Sequence, residues 1–249
     1  LKGGTLKRRL MLRYSRVEPL SQLIMPSKNV IKIYVKGGIY HIYNRGIETR
    51  DIFLDEQDYK IFLYYLKSFL TPLDEQSKPP IGIRYGHKNN FTIYKEIYLF
   101  AFCLMPNHFH LLVKQSTERA ISEFMKRLSN AYTEYFNKKY PRVGPIFQGS
   151  YKAALVEKEF YFLHLSRYIH GNPRELFENI EDFRKYSYSS YLDYLGERHT
   201  NWVHPEEILE YFEKRKGKLD EEEFSSYQNF VETYTEDRAR KVLGKLMLD

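Results

Sequence analysis

The chain has one cysteine, Cys103, so no internal disulfide can staple it and no cysteine zinc cluster can form. That scarcity suits a reducing compartment, and a cytoplasmic setting is expected. Tryptophan is as rare, with Trp202 alone. No uninterrupted apolar run approaches the roughly 20 residues of a membrane span, so no membrane partner is expected. There is no internal repeat and no low-complexity tract. Acidic residues fall short of basic ones, 32 against 39, for a net charge of +7. A basic surplus favours a polyanionic partner, nucleic acid above all.

What is present is ample for a folded core: 249 residues, 43% of them apolar. Twenty-three tyrosines lie among the lysines and arginines, a mixture that suits base stacking beside phosphate contacts. Residues 1–26, with Lys2, Lys7, Arg8, Arg9, Arg13 and Arg16, lack the compact apolar core of a secretory signal. They are set aside as a basic lead or tail, expected to be poorly ordered. Residues 27–196 read as the main domain. Residues 197–249 read as a helical C-terminal extension forming a unit of its own.

Residues 30–43 are β-branched and aromatic and predict a strand. Asp55 can cap a helix over about 55–70, where Tyr59, Phe62, Leu63, Leu66 and Leu70 recur at helical spacing. A polar loop follows at 71–90, longer than compact domains usually carry. Two strands are predicted at 91–105 and 108–114, parted by the turn Met105-Pro106-Asn107. A helix over about 118–139 precedes a short strand at 151–156 and a third helix at about 158–171, stopped by Pro173. Two amphipathic helices, about 205–216 and 220–244, complete the chain. Strands and helices in this order predict an α+β fold, with helices packed on an antiparallel sheet.

His108-Phe109-His110 is the first feature with chemical content. Side chains two apart on a strand share a face, so both imidazoles project together while Phe109 faces the core. Two adjacent imidazoles can chelate one divalent ion, but they are an incomplete site. The third helix offers His164, Tyr168 and Asn172 at successive spacings of four, along one helix face. Tyr168 can supply a phenol nucleophile and Asn172 an amide oxygen, although Gly171 and Pro173 place Asn172 at a predicted helix end. Among nearby tyrosines, Tyr151 and Tyr161 compete for the nucleophile's role.

The stretch Tyr40-His41-Ile42-Tyr43-Asn44-Arg45-Gly46, then Asp51-Ile52-Phe53 and Asp58-Tyr59, resembles the opening of the IS200-like transposase superfamily. Met105-Pro106-Asn107-His108-Phe109-His110-Leu111-Leu112 resembles its histidine-hydrophobe-histidine metal motif. Phe147-Gln148-Gly149-Ser150-Tyr151-Lys152, Arg167-Tyr168-Ile169-His170-Gly171-Asn172-Pro173 and Ser189-Ser190-Tyr191 resemble the branch called REP-associated tyrosine transposases. The resemblance spans about residues 38–196. It implies a ferredoxin-like antiparallel sheet of the HUH kind and a single-tyrosine DNA nicking-joining enzyme. Such an enzyme cuts single-stranded or hairpin DNA through a 5′-phosphotyrosine, using Mg²⁺ or Mn²⁺ and no small-molecule cofactor, as monomer or homodimer. By motif position His108, His110 and Asn172 become metal ligands and Tyr168 the nucleophile. Candidate DNA contacts are Asn44, Arg45, Lys114, Lys126, Arg127, Gln148 and Lys152. Ser150 stands where an arginine is expected in relatives, which touches one phosphate contact and not the chemistry. Two rivals remain: a hairpin-binding protein without catalysis, and a zinc hydrolase that uses bound water in place of tyrosine.

Overall fold

The fold is described from a computed structural model, which covers residues 32–76, 80, 91–215, 225–233 and 241–244. The expectations for residues 1–26, most of the 71–90 loop and much of the 220–244 helix lie outside the described residues.

Four strands form one antiparallel sheet: β1 (Ile39–Arg45), β2 (Ile97–Met105), β3 (His108–Gln115) and β4 (Lys152–Leu155). Their spatial order is β2-β3-β1-β4. Helix α1 (Glu56–Leu70) joins β1 to β2, and α2 (Ala120–Lys139) joins β3 to β4. This is the βαββαβ order of ferredoxin-like folds. A third helix, α3 (Glu159–Gly171), follows β4.

Strand alternation sorts the apolar residues into two layers. Tyr40, Ile42, Phe102, Leu104, Phe109, Leu111 and Val113 cluster with Ile61, Phe62 and Leu66 of α1 and Phe124, Leu128 and Tyr132 of α2. Ala101, Cys103, Met105 and Leu112 face the other way and cluster with Phe162, Leu165 and Ile169 of α3. A register shift between Leu99 and Ala101 changes the parity of β2, which is why the neighbours Phe100 and Ala101 both join the α3 layer. Two short helices, α4 (Ile180–Arg184) and α5 (Tyr191–Tyr194), follow α3, and α6 (Glu206–Arg215) and α7 (Tyr227–Glu232) contribute Ile208, Phe212, Tyr227 and Phe230 to the α3 layer. The C-terminal helices thus share a core with α3 in spite of their separate appearance in sequence.

Element ends differ from expectation for local reasons. β1 starts at Ile39 and not near residue 30, because Gly37 takes a positive φ of 75° and closes a turn with Gly38 N–H on the Val35 carbonyl. β2 starts at Ile97 because Ile93 N–H is bonded to Phe69 O and Lys95 is left-handed, at φ 65°. Asp55 caps α1 as predicted, with Asp58 returning a bond to the Asp55 N–H in a capping box. Asp58 is fully buried, and Lys139, Tyr135 and Tyr140 at the end of α2 close around it. That polar knot ties the ends of α1 and α2 together. Among the described residues no helix is long and apolar enough to cross a membrane.

Candidate metal and nucleophile site

The site lies on the α3 face of the sheet. Cross-strand pairing places Tyr43 opposite His110 and Arg45 opposite His108, while Lys152 pairs with Tyr43 from the other side. Residues 41, 43 and 45 of β1 and 108, 110 and 112 of β3 therefore share one surface. The β2–β3 turn beneath them is pinned: Pro106 O accepts from Ile52 and Phe53 N–H, and Asn107 O accepts from Gly46 N–H. A side chain on Gly46 would put its Cβ 2.0 Å from Arg50 O, so the close approach demands glycine.

The two imidazoles are neighbours, with ring centroids 4.9 Å apart. His110 is fully buried, and its Nε2 has no hydrogen-bond partner. Its Nδ1 lies 2.9 Å from His41 Nε2. His108 directs Nδ1 to Asn107 Oδ1 at 2.6 Å. Burial pushes the His108 pKa down to about 4, with the Arg45 charge adding to the effect and Asn172 opposing it. Burial holds His110 well below the ordinary histidine value too, helped by His108 and His41. Both rings are neutral near pH 7, the state in which imidazole has a lone pair to give.

Tyr168 arrives from α3, half-buried, its ring edge-on to His110 at 5.4 Å and to His41 at 6.0 Å. Asn172 follows one turn later. It keeps helical dihedrals (φ −50°, ψ −45°) although Pro173 follows it, because the chain continues as a 3₁₀ turn over Asn172–Leu176. Asn172 Nδ2 donates to Tyr168 O at 2.7 Å, which leaves Oδ1 for the histidines. His164, the remaining polar residue of that helix stripe, lies instead between Phe160 and Phe230.

Among the described residues no group of three His, Cys, Asp or Glu side chains forms a metal cluster. The donor set brought together here is two imidazoles and one amide, and it fits a divalent ion: His110 Nε2 is a buried nitrogen otherwise left without a partner. Mixed nitrogen and oxygen donors suit Mn²⁺ better than Mg²⁺.

The competing tyrosines are engaged elsewhere. Tyr151 bonds Tyr34 at 2.6 Å beneath Lys32, and Tyr161 lies by Phe160 and Lys158. Tyr43 is a nearer rival missed in the sequence, with its ring 6.0 Å from His110. Cys103 is buried, and burial raises its thiol pKa far from the reactive range.

Of the candidate DNA contacts, Arg45 lies opposite His108 and its Nε donates to Gln148 Oε1 at 2.7 Å, while Lys152 lies opposite Tyr43 on the same surface. Asn44 points to the opposite face, is 5% exposed and donates to Gly149 O. Lys114 pairs with Glu207 of α6. Lys126 and Arg127 belong to α2, across the sheet, where Arg127 pairs with Glu123 and lies over Phe91. His41 and Asn107 escaped the sequence reading as site residues, and no spacing rule marks either.

Residues 87–172 match the family model described as "Transposase IS200 like". Among solved structures, a REP-associated tyrosine transposase bound to a REP hairpin is 12% identical, with a TM-score of 0.49, covering 71% of this chain and 97% of that one. A crystallised candidate transposase from Deinococcus radiodurans is 18% identical, with a TM-score of 0.34, covering 58% of this chain and 95% of that one. No protein with a curated description matches the sequence significantly.

Proposed function

We propose that this chain, which carries an IS200-like transposase domain, cuts and rejoins single-stranded or hairpin DNA through a 5′-phosphotyrosine on Tyr168. The observation that carries the reading is the Tyr168 ring lying edge-on to His110, one turn of α3 before Asn172. A nucleophile candidate and three metal-ligand candidates meet at one place on the sheet.

His108 Nε2, His110 Nε2 and Asn172 Oδ1 would hold the ion. When bound, a divalent cation withdraws charge from the scissile phosphate as a Lewis acid. The chain's own residues do the rest. Arg45 and Lys152, on the same surface, attract the phosphates on either side of the cut. Tyr168 Oη bonds to phosphorus, the P–O3′ bond breaks, and the phenol proton passes by way of solvent to the leaving 3′ oxygen. A later 3′-OH reverses the step, expelling the phenol and restoring a phosphodiester with no energy source. Water in place of Tyr168 would end at hydrolysis.

The basic surplus and the motif resemblance support nucleic acid as the substrate. The test is incubation with labelled hairpin DNA and Mn²⁺, followed by denaturing electrophoresis. A covalent protein–DNA band that maps to Tyr168 is expected. Cleavage without any adduct would favour the hydrolase, and binding without cleavage the non-catalytic hairpin binder.

A further inference from the structure

Each candidate ligand imidazole is held through Nδ1 by a residue outside the ligand set. His108 Nδ1 lies 2.6 Å from Asn107 Oδ1. An amide oxygen only accepts, so His108 donates through Nδ1–H and its lone pair resides on Nε2. The amide is oriented in turn, because Asn107 Nδ2 donates to Thr49 O at 3.1 Å. Thr49 and Glu48 both have left-handed backbone, φ 60° and 54°, uncommon for residues with side chains. Such strain tends to gather beside functional sites. Here it belongs to the turn that aims a carbonyl at the β2–β3 hairpin.

His41 is fully buried on β1, diagonal to His110, with its ring plane 19° from that of His110. The 2.9 Å contact between His41 Nε2 and His110 Nδ1 needs one hydrogen. If His110 held its proton on Nε2, that buried N–H would have Asn172 as its one weak partner and no hydrogen bond of good geometry. With the proton on Nδ1 it is bonded to His41, and Nε2 is left bare. Fixing a ligand's tautomer and tilt through its remote nitrogen is how outer-shell partners support metal sites.

We propose that His41 and Asn107 are positioning residues that set both imidazoles as Nδ1–H tautomers, their Nε2 lone pairs converging on the side of Asn172. The inference rests on the metal reading of the site. It involves a histidine that no step above uses and the turn asparagine beside the motif.

The test uses the full chain without DNA. Long-range ¹H–¹⁵N spectra of the metal-free protein should show Nδ1–H on His108 and His110, and an Nε2–H tautomer on either ring overturns the proposal with no variant made. Mn²⁺ titration should show about 10- to 100-fold weaker binding by His41→Phe and Asn107→Leu. His41→Gln and Asn107→Asp, which restore an acceptor, should regain most of the loss. Wild-type affinity in a folded His41→Phe protein, beside lost binding in His110→Ala, overturns this inference alone. Undiminished Mn²⁺ binding by His110→Ala overturns the metal reading and this inference with it.

Discussion

The Tyr168 ring meets the His110 ring edge-on, with planes 76° apart and centroids 5.4 Å apart. The contact is made by the ring and owes nothing to the hydroxyl, so nucleophile and packing are separable. Tyr168→Phe should keep the ring contact and change stability by no more than about 0.5–1.5 kcal/mol, the worth of one hydrogen bond. It should remove all covalent adduct and all cleavage, while hairpin affinity stays near wild type. Peptide mapping of the trapped adduct is the check, and DNA carried on Tyr43, Tyr151 or Tyr161 would move the nucleophile elsewhere.

The ligand candidates should fail together in chemistry and differently in stability. His108→Ala, His110→Ala and Asn172→Ala should each lower cleavage by at least about 100-fold, since metal stabilisation of the transition state is worth several kcal/mol. Chelator should do the same to the wild type. His110 is fully buried among His41, Tyr43 and Tyr168, so its truncation should also lower the melting temperature, and more than truncation of His108. Thermal melts and nicking assays in parallel measure both. Full cleavage by the His108/His110 double variant in chelator would remove the metal from the mechanism.

Much of this was legible in the sequence, for physical reasons. Strand alternation puts His108 and His110 on one face, and helical spacing puts Tyr168 and Asn172 one turn apart, so each pair is local. The same alternation could have separated Asn44 from Arg45, since neighbours on a strand face opposite ways. His41 and Asn107 were not legible, because their roles depend on cross-strand register and on a turn carbonyl 58 residues away in sequence. Lys126 and Arg127 read as basic like any others. Only the layering shows that α2 lies across the sheet from the histidines. Asn172 keeps its helical place despite Pro173, because 3₁₀ geometry carries the turn onward.

That layering yields a prediction about DNA contacts. Arg45→Ala and Lys152→Ala should each weaken hairpin binding and reduce the slope of log affinity against log salt by about 0.7–0.9. Lys126→Ala and Arg127→Ala should leave that slope near wild type if the hairpin docks on the α3 face. Binding isotherms over a salt series distinguish the two groups. Equal losses from both would mean a DNA path that wraps the sheet.

The α3 layer should also confer a distinctive acid sensitivity. His170, two residues after Tyr168, is fully buried between Tyr227 and Ser190, with both ring nitrogens bonded at 2.7 Å. Tyr227 OH donates to Ser166 Oγ, so it accepts from His170 Nδ1–H, and Nε2 accepts from Ser190. The ring is thus satisfied when neutral. Burial pushes its pKa down to about 3, with the Arg198 charge assisting. A depressed folded-state pKa means the unfolded chain takes up the proton first. The neutral ring's contribution is fully present above the ordinary value of about 6.5 and is lost as pH falls toward 3, by up to about 1.4 kcal/mol per pH unit. His170→Gln should therefore be less stable than wild type at pH 7 but lose stability more slowly below pH 6.5, so the two curves converge. Denaturant unfolding at pH 7, 6, 5 and 4 measures the gap. Parallel curves would show that the His170 ring carries no proton linkage, and that the α3–α7 contact stands on packing alone.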